Sequence, residues 1–114
     1  MVKNEFIPLR GDIVWLDFSP TRGHEQDKLR PALVLTDGIY NDSTGLALVC
    51  PITSKKRGHN FEVELKGLKV DGVVVSNQVR NVAWTERDCQ YIDKVDHIVL
   101  NEVCAKIRSL LFSI

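Results

Sequence analysis

Hydrophobic residues in the first half of the chain fall into three short runs, each bounded by turn signals. Residues 13–18 (IVWLDF) are apolar on nearly both alternating faces, and residues 32–36 (ALVLT) and 46–52 (LALVCPI) are almost continuously apolar. Such runs predict buried strands of a barrel, or of a sheet covered on both sides. Pro51 in the third run predicts a sheet edge or a bulge, because proline has no N–H for the ladder.

The second half of the chain has a weaker strand pattern. Residues 61–65 (FEVEL) alternate between apolar and acidic positions, which predicts a half-exposed antiparallel strand. Residues 73–76 and 79–84 are two further short apolar segments. Residues 85–93 are polar and predict irregular structure.

Helical patterns occur at two places. Residues 39–44 predict a short helical turn that ends at Gly45. Asp96 is a suitable N-cap for a longer helix, because apolar residues follow it at helical spacing. The stripe consists of Val99, Val103, Ile107, Leu110 and Ile114. We therefore expect a mainly β fold with helices: a small antiparallel sheet or barrel of about five or six strands, with a C-terminal helix packed against it.

The size of the chain and its surplus of apolar positions bear on assembly. At 114 residues the chain is expected to form a single domain over residues 1–114. Small sheets rarely bury all of their apolar faces alone. Trp15, Val49 and the helix stripe are expected to leave apolar area exposed, which favours a homodimer.

Composition narrows the possible functions. The chain has 15 Lys and Arg and 15 Asp and Glu, so its formal net charge is zero and only local clusters can attract a nucleic acid. It has three cysteines without a CxxC pair, which predicts neither a disulfide framework nor a zinc site. The N-terminus is polar and no apolar run has membrane-spanning length, so we expect a cytoplasmic protein without a membrane partner.

Two polar loops carry the candidate chemistry. The sequence contains no Walker loop, GxGxxG, HExxH or GxSxG, so no cofactor or metal is expected from a motif. The first loop, residues 22–30, holds basic, acidic and amide side chains between two predicted strands. The second, residues 53–60, directly follows a strand. Groups at strand ends are well placed for binding and catalysis.

A carboxylate, an arginine and a hydroxyl suffice for RNA cleavage by the 2′-OH of the ribose itself. Glu25 and His24 can transfer a proton, Arg30 can bind phosphate oxygens with two donors, and Thr53 offers a hydroxyl. The candidate substrate-binding residues are Gln26, Lys28, Ser54, Lys55, Lys56, Arg57, Asn77 and Gln78. The same pattern also allows structural roles: Glu25 in a surface ion pair, Arg30 as a brace and Thr53 as a turn cap.

Several motifs, in the right order, resemble those of the MazF/PemK family of toxin endoribonucleases. The family pattern runs G-D/E-I-V, D-P-T/S-x-G-x-E-Q, a short gap and R-P before an apolar strand. Residues 10–35 follow it, with Ser19 where the family usually has aspartate. Residues 51–54 (PITS) resemble its P-x-T-S turn, and residues 71–73 (DGV) and 78–80 (QVR) resemble its D-G-V…D-Q-V/P-R/K segment.

The resemblance implies an SH3-like, plasmid-maintenance-toxin fold in a homodimer. It implies a type II toxin that cleaves single-stranded RNA, such as mRNA, at a short sequence without a metal, leaving 2′,3′-cyclic phosphate and 5′-hydroxyl ends. It also implies a cognate antitoxin whose acidic, disordered tail covers the RNA groove.

Individual roles follow from the resemblance by position. Arg30 and Thr53 match the catalytic pair, and Glu25 matches the supporting acid or base. His24 is similar to a histidine found in only some members. Asn77 replaces an aspartate found in several members, so substrate contact is its expected role.

Two other functions fit the same fold. One is a non-enzymatic toxin that binds and poisons DNA gyrase, and the other is an inactive RNA-binding module. A pure binder has no need for Glu25, Arg30 and Thr53 together, so the loop chemistry favours the nuclease.

Overall fold

Seven strands and two α-helices form in residues 6–18 and 29–112, the part of the chain that the computed structural model describes. The strands are β1 (Asp12–Asp17), β2 (Leu29–Val34), β3 (Ala47–Thr53), β4 (Glu62–Leu65), β5 (Gly72–Val75), β6 (Arg80–Val82) and β7 (Gln90–Lys94). The helices are α1 (Gly38–Thr44) and α2 (His97–Phe112), and a 3-10 turn spans Trp84–Glu86. Neither α-helix is long and apolar enough to cross a membrane.

The strands form one curled antiparallel sheet. Its order is β4-β5-β3-β2-β1-β7, and β6 pairs with β3 outside this path. β3 is the central strand, because it pairs with β2 on one side and with both β6 and β5 on the other. The predicted architecture, a small antiparallel sheet with a C-terminal helix, is confirmed.

Both faces of the central strands are buried, as their apolar runs predicted. Successive side chains point to opposite faces of a strand. Ile13 and Leu33 belong to a core under α2, where Val103 is fully buried. Val14 and Val49 belong to a second core on the other face. Val49 is 0% exposed, so the expectation that it leaves apolar surface for a partner is wrong.

The segment expected to be irregular contains an edge strand instead. Residues 85–93 overlap β7, which pairs with β1 through the neighbours Ile13 and Asp93. Only Ile92 of β7 is buried. The local sequence therefore has little hydrophobic signal, and pairing with β1 defines the strand.

Pro51, for which a sheet edge or a bulge was predicted, lies in a central strand. It is opposite Ala32 of β2. On its other side, β3 pairs with β6 as far as Val49 and with β5 from Ile52 onward. The gap between these two neighbours accommodates a residue that has no N–H to donate.

Both predicted helical segments are confirmed, and each begins at an aspartate cap. The Asp37 carboxylate accepts a hydrogen bond from the Tyr40 N–H at 2.9 Å, and α1 ends at Gly45 with a φ of 72°. The Asp96 carboxylate accepts from the Val99 N–H at 3.0 Å. These caps satisfy N–H groups that have no partner within the first helical turn.

The apolar stripe of α2 is covered only in its first part. Val103 is buried and Ile107 packs against the core under α2. Leu110 and Phe112 are 59% and 72% exposed, and Ile114 lies outside the described residues. The last turns of α2 therefore present apolar side chains that the described part of the chain does not cover.

Candidate functional site

Arg30 and Thr53 are neighbours on one face of the sheet. β2 and β3 run antiparallel with Ala32 opposite Pro51. Arg30 and Thr53 each lie two residues beyond this pair, so their side chains point to the same face of the sheet as those of Ala32 and Pro51. Both line one cavity of about 480 Å³, which we term the central pocket. The sheet therefore brings a guanidinium and a hydroxyl to the same cavity.

Two local contacts hold Thr53 in place. Its hydroxyl oxygen accepts a hydrogen bond from the Lys55 N–H at 3.1 Å, which leaves the hydroxyl proton able to bind a ligand oxygen. Gly72, with a φ of 122°, lies so close that a Cβ there would be 2.2 Å from the Thr53 carbonyl oxygen. The D-G-V motif thus has a steric reason, because the close approach to Thr53 leaves no room for a side chain.

A carboxylate closes the second polar loop. The Glu62 carboxylate accepts from the Arg57 N–H at 3.2 Å and from the Gly58 N–H at 3.0 Å. The Glu62 N–H in turn donates to the His59 carbonyl at 3.1 Å. The loop backbone is therefore held against β4, and its side chains are presented from a defined position.

The two lysines of this loop differ in their surroundings. Lys55 lines the central pocket. Lys56 does not line it and forms a 3.0 Å ion pair with Glu64. The hydrogen bond and the charge of Lys56 lower the pKa of the Glu64 carboxyl below its usual value. Lys55 is thus the better placed of the two to contact a ligand.

Cationic side chains outnumber carboxylates in the central pocket. Within the described part of the chain they are Arg30, Lys55, Arg57 and Arg80. No described carboxylate forms an ion pair with Arg30, and the one carboxylate of the pocket, Glu62, is occupied by loop N–H groups. A chain with zero net charge therefore presents a locally positive surface that suits an anionic ligand.

Aromatic rings accompany these cations. The Arg80 guanidinium lies 4.9 Å from the centre of the Phe18 ring, within the range of a cation–π contact. The rings of His59 and Phe61 stack with centroids 4.8 Å apart and planes 15° apart. Cations interleaved with aromatic rings are typical of surfaces that bind single-stranded nucleic acid.

Four of these pocket residues, Phe18, His59, Phe61 and Arg80, were not predicted as site residues from the sequence. A usable signal was present, since Phe18 ends the apolar run before the first polar loop and Phe61 directly follows the second. Arg80 belongs to the QVR segment, and His59 adjoins the basic cluster of the second loop.

The other predicted site residues have different positions. Gln78 lines the central pocket. Ser54 lines an adjoining cavity of about 610 Å³ that shares Arg30 and Thr53 with it. Asn77 is exposed and lines neither cavity. Four predicted residues, His24, Glu25, Gln26 and Lys28, lie outside the residues that the structure describes.

Metal ligands and reactive thiols do not gather around this pocket. Residues 6–18 and 29–112 contain no group of three or more His, Cys, Asp or Glu side chains able to hold a metal ion. Burial raises the pKa of the Cys50 and Cys89 thiols to about 12. Both thiols remain protonated near neutral pH and behave as small apolar side chains.

Comparison with known proteins identifies close relatives in sequence. Residues 9–111 match the family described as the PemK-like, MazF-like toxin of type II toxin-antitoxin systems. The endoribonuclease toxin MazF of Escherichia coli (strain K12) is 40% identical over 108 residues, covering 95% of this chain and 97% of that protein. The endoribonuclease PemK of Escherichia coli is 34% identical over 107 residues, covering 90% of this chain and 80% of that protein.

Solved structures agree with the sequence relatives. The crystal structure of MazF (Form-I) from Deinococcus radiodurans has a TM-score of 0.86 and 44% identity, covering 94% of this chain and 98% of that one. MazE-MazF (Form-II) from the same organism has a TM-score of 0.86 and 38% identity, covering 95% and 98%. The chain, with its curled antiparallel sheet and its paired arginine and threonine, therefore belongs to the PemK-like, MazF-like family of type II toxin-antitoxin toxins.

Proposed function

We propose that this chain, an endoribonuclease toxin of a type II toxin-antitoxin system, cuts single-stranded RNA such as mRNA at a short sequence without a metal ion. The observation that carries the proposal is that Arg30 and Thr53 line one pocket together with three further cationic side chains among the described residues. RNA supplies both the anionic backbone that this charge attracts and the 2′-OH needed to break its own chain.

The proposed reaction is an internal transfer at phosphorus. A base removes the 2′-OH proton, and the 2′-oxygen attacks the adjacent phosphorus. The bond from phosphorus to the 5′-oxygen breaks, and the 5′-oxygen takes up a proton. The products are a 2′,3′-cyclic phosphate and a 5′-hydroxyl, so no external nucleophile is consumed.

Arg30 and Thr53 act in this scheme on the phosphoryl oxygens. Negative charge builds up on these oxygens in the transition state, and fixed donors aimed at them lower the barrier. Arginine remains protonated in proteins, so we assign Arg30 to charge stabilisation and not to proton transfer. Thr53 donates its hydroxyl proton to a second phosphoryl oxygen. Proton transfer is assigned to Glu25, with His24 as the other candidate, on the basis of the family pattern.

Substrate binding is assigned to side chains around the pair. Lys55 and Arg57, which line the central pocket, are assigned to phosphates next to the cleaved one, and Gln78, which also lines it, is assigned to a base edge. Ser54 is placed to contact the chain where it continues into the adjoining cavity. The same positive surface is proposed to bind the acidic tail of a cognate antitoxin, since MazE and MazF of Deinococcus radiodurans occur together in a crystal structure. Because its proposed substrate is mRNA, the toxin is proposed to act in the cytoplasm.

The proposed assembly is a homodimer built on α2. A cavity of about 470 Å³ beside this helix, which we term the helix groove, is lined mainly by apolar groups. Its lining residues are Leu35, Asn101, Cys104, Ala105, Ile107, Arg108, Leu111 and Phe112. Leu111 is 69% exposed in the single chain. A second copy of α2 offers a matching apolar surface and removes this area from water.

The decisive experiment incubates the purified protein with a long single-stranded RNA in excess EDTA and maps the ends of the products. We expect discrete cuts at one short sequence, with 5′-hydroxyl ends. Absence of cutting by a folded, antitoxin-free protein would overturn the nuclease proposal. Cutting that appears only when Mg²⁺ is restored would overturn the metal-independent chemistry alone.

A further inference from the structure

The stacked rings of His59 and Phe61 form one wall of the central pocket. Their centroids are 4.8 Å apart and their planes differ by 15°, so the two rings lie nearly parallel. Phe61 is half-buried, whereas His59 is exposed. The histidine covers one side of the phenylalanine and offers its own outer side to a molecule that enters the pocket.

Backbone hydrogen bonds hold the main chain that carries both rings. The His59 carbonyl accepts from the Glu62 N–H at 3.1 Å, and the Phe61 carbonyl accepts from the Ser76 N–H at 3.0 Å. The Ser76 hydroxyl donates to the same Phe61 carbonyl. The Glu62 carboxylate anchors the preceding turn through the Gly58 N–H. A backbone fixed in this way loses little further freedom when a ligand stacks on the rings that it carries.

We infer that His59 and Phe61 form a stacking platform for one unpaired RNA base next to the cleaved phosphate, and that this platform contributes to substrate selection. The inference rests on the proposed ribonuclease function. A ligand held by its phosphates at Arg30 and Lys55 reaches the platform with a neighbouring base, because all four residues line the same pocket. Flat aromatic surfaces beside cations recognise single-stranded RNA through exposed base faces.

The test couples two changes, one in the protein and one in the RNA. His59→Ala removes the outer ring, His59→Phe keeps an aromatic ring, and His97→Ala is the matched control on α2. The substrate is a short RNA that carries the mapped cleavage site. In a set of RNA variants, each base in turn is replaced by an abasic ribose. Circular dichroism first shows that each protein is folded. The ratio kcat/KM is then measured for every combination of protein and RNA.

We expect His59→Ala to lower kcat/KM on the intact RNA by roughly 5- to 100-fold, the range for loss of one base–aromatic stack. One abasic position should lower the wild-type value by a similar factor and should cause no further loss in His59→Ala. His59→Phe and His97→Ala should behave like the wild type on all of the RNAs.

Three outcomes would overturn the platform while the proposed function stands. The first is a His59→Ala variant with the kcat/KM of the wild type. The second is an equal loss of kcat/KM in His59→Ala on every RNA, including all of the abasic ones. The third is a His59→Phe variant whose kcat/KM is as low as that of His59→Ala. A wild-type protein that cuts no RNA at all is a different result, because it overturns the proposed function and the platform with it.

Discussion

The central pocket and the helix groove have almost the same volume, about 480 and 470 Å³, but differ in charge. The central pocket lies where strand ends and loops meet, and four cationic side chains of the described residues line it, whereas Arg108 is the one charged residue among those that line the helix groove. The helix groove lies along one helix and is lined mainly by apolar side chains. Charged side chains are well hydrated in the free protein, so a site made of them is stable without its anionic ligand. Exposed apolar area is unfavourable in water, so it favours a permanently bound partner. Equal cavity size therefore says little about function here, and the lining groups say much more.

The largest expected effect is a loss of catalytic rate on replacing the arginine of the central pocket but not that of the helix groove. Arg30→Ala should lower kcat by at least about 100-fold, the usual result of removing one donor to the transition-state charge. Arg108→Ala, in the helix groove, should leave the chemical step near the wild-type rate. Single-turnover cleavage of a short RNA measures both rates. If Arg30→Ala unfolds instead, as a thermal melt would reveal, Arg30 is a structural brace.

The next effect concerns assembly through the helix groove. Leu111→Glu should weaken dimerisation at least about 100-fold, because each copy then buries an unpaired carboxylate. Ser109→Glu adds the same charge on an exposed position of α2 that does not line the groove, and should leave the dimer intact. Sedimentation equilibrium over a range of concentrations measures the constant. A wild-type chain that sediments as a monomer would contradict the proposed interface.

A third change tests the backbone support of the central pocket. Gly72→Ala should destabilise the fold by roughly 2–5 kcal/mol, because it combines a disfavoured φ with a clash against Thr53. Gly67 also has a positive φ, of 73°, but a Cβ at this position would meet no atom within 4 Å, so Gly67→Ala is the matched control. It should cost only about 1–2 kcal/mol. Urea titration gives both free energies of unfolding, and equal values would show that the contact with Thr53 is not tight.

The smallest effect distinguishes two adjacent lysines. A plot of log affinity against log salt concentration has a negative slope. Lys55→Ala should make this slope less steep by about 0.7, the value for one phosphate contact on a single strand. Lys56→Ala should leave the slope nearly unchanged, because its ammonium pairs with Glu64. Fluorescence anisotropy with an RNA that carries a 2′-deoxy nucleotide at the cleavage site measures binding without cutting. Equal slopes for the two variants would remove Lys55 from the phosphate path.

Elements with a strong local pattern were predictable. The apolar runs that form β1 and β3 predict strands buried on both faces. Asp96 and the apolar residues at helical spacing after it predict α2. By contrast, β7 has only Ile92 buried, so its pairing partner rather than its composition makes it a strand. The prediction of a sheet edge or a bulge at Pro51 did not identify its place in a central strand for a related reason, since a single strand does not reveal how many neighbours it has.

The candidate site divides in the same way. Residue types alone put a guanidinium and a hydroxyl, Arg30 and Thr53, on the short list of chemical groups. Their adjacency depends on the register between β2 and β3, which joins positions 23 residues apart in the chain. The same holds for Gly72 against Thr53. Each such contact is made across the sheet, so no local window of the sequence contains both partners.

Local sequence is thus sufficient for the strands with continuous apolar runs, for the capped helix and for the kinds of chemistry available, because periodicity and capping act within a few residues. Tertiary structure decides which charges remain available, as with Lys55 and Lys56, and which rings become a surface, as with His59 and Phe61. The physical reason is that electrostatic and stacking energies depend on distances of a few ångströms between side chains. Only the folded sheet and its loops set those distances.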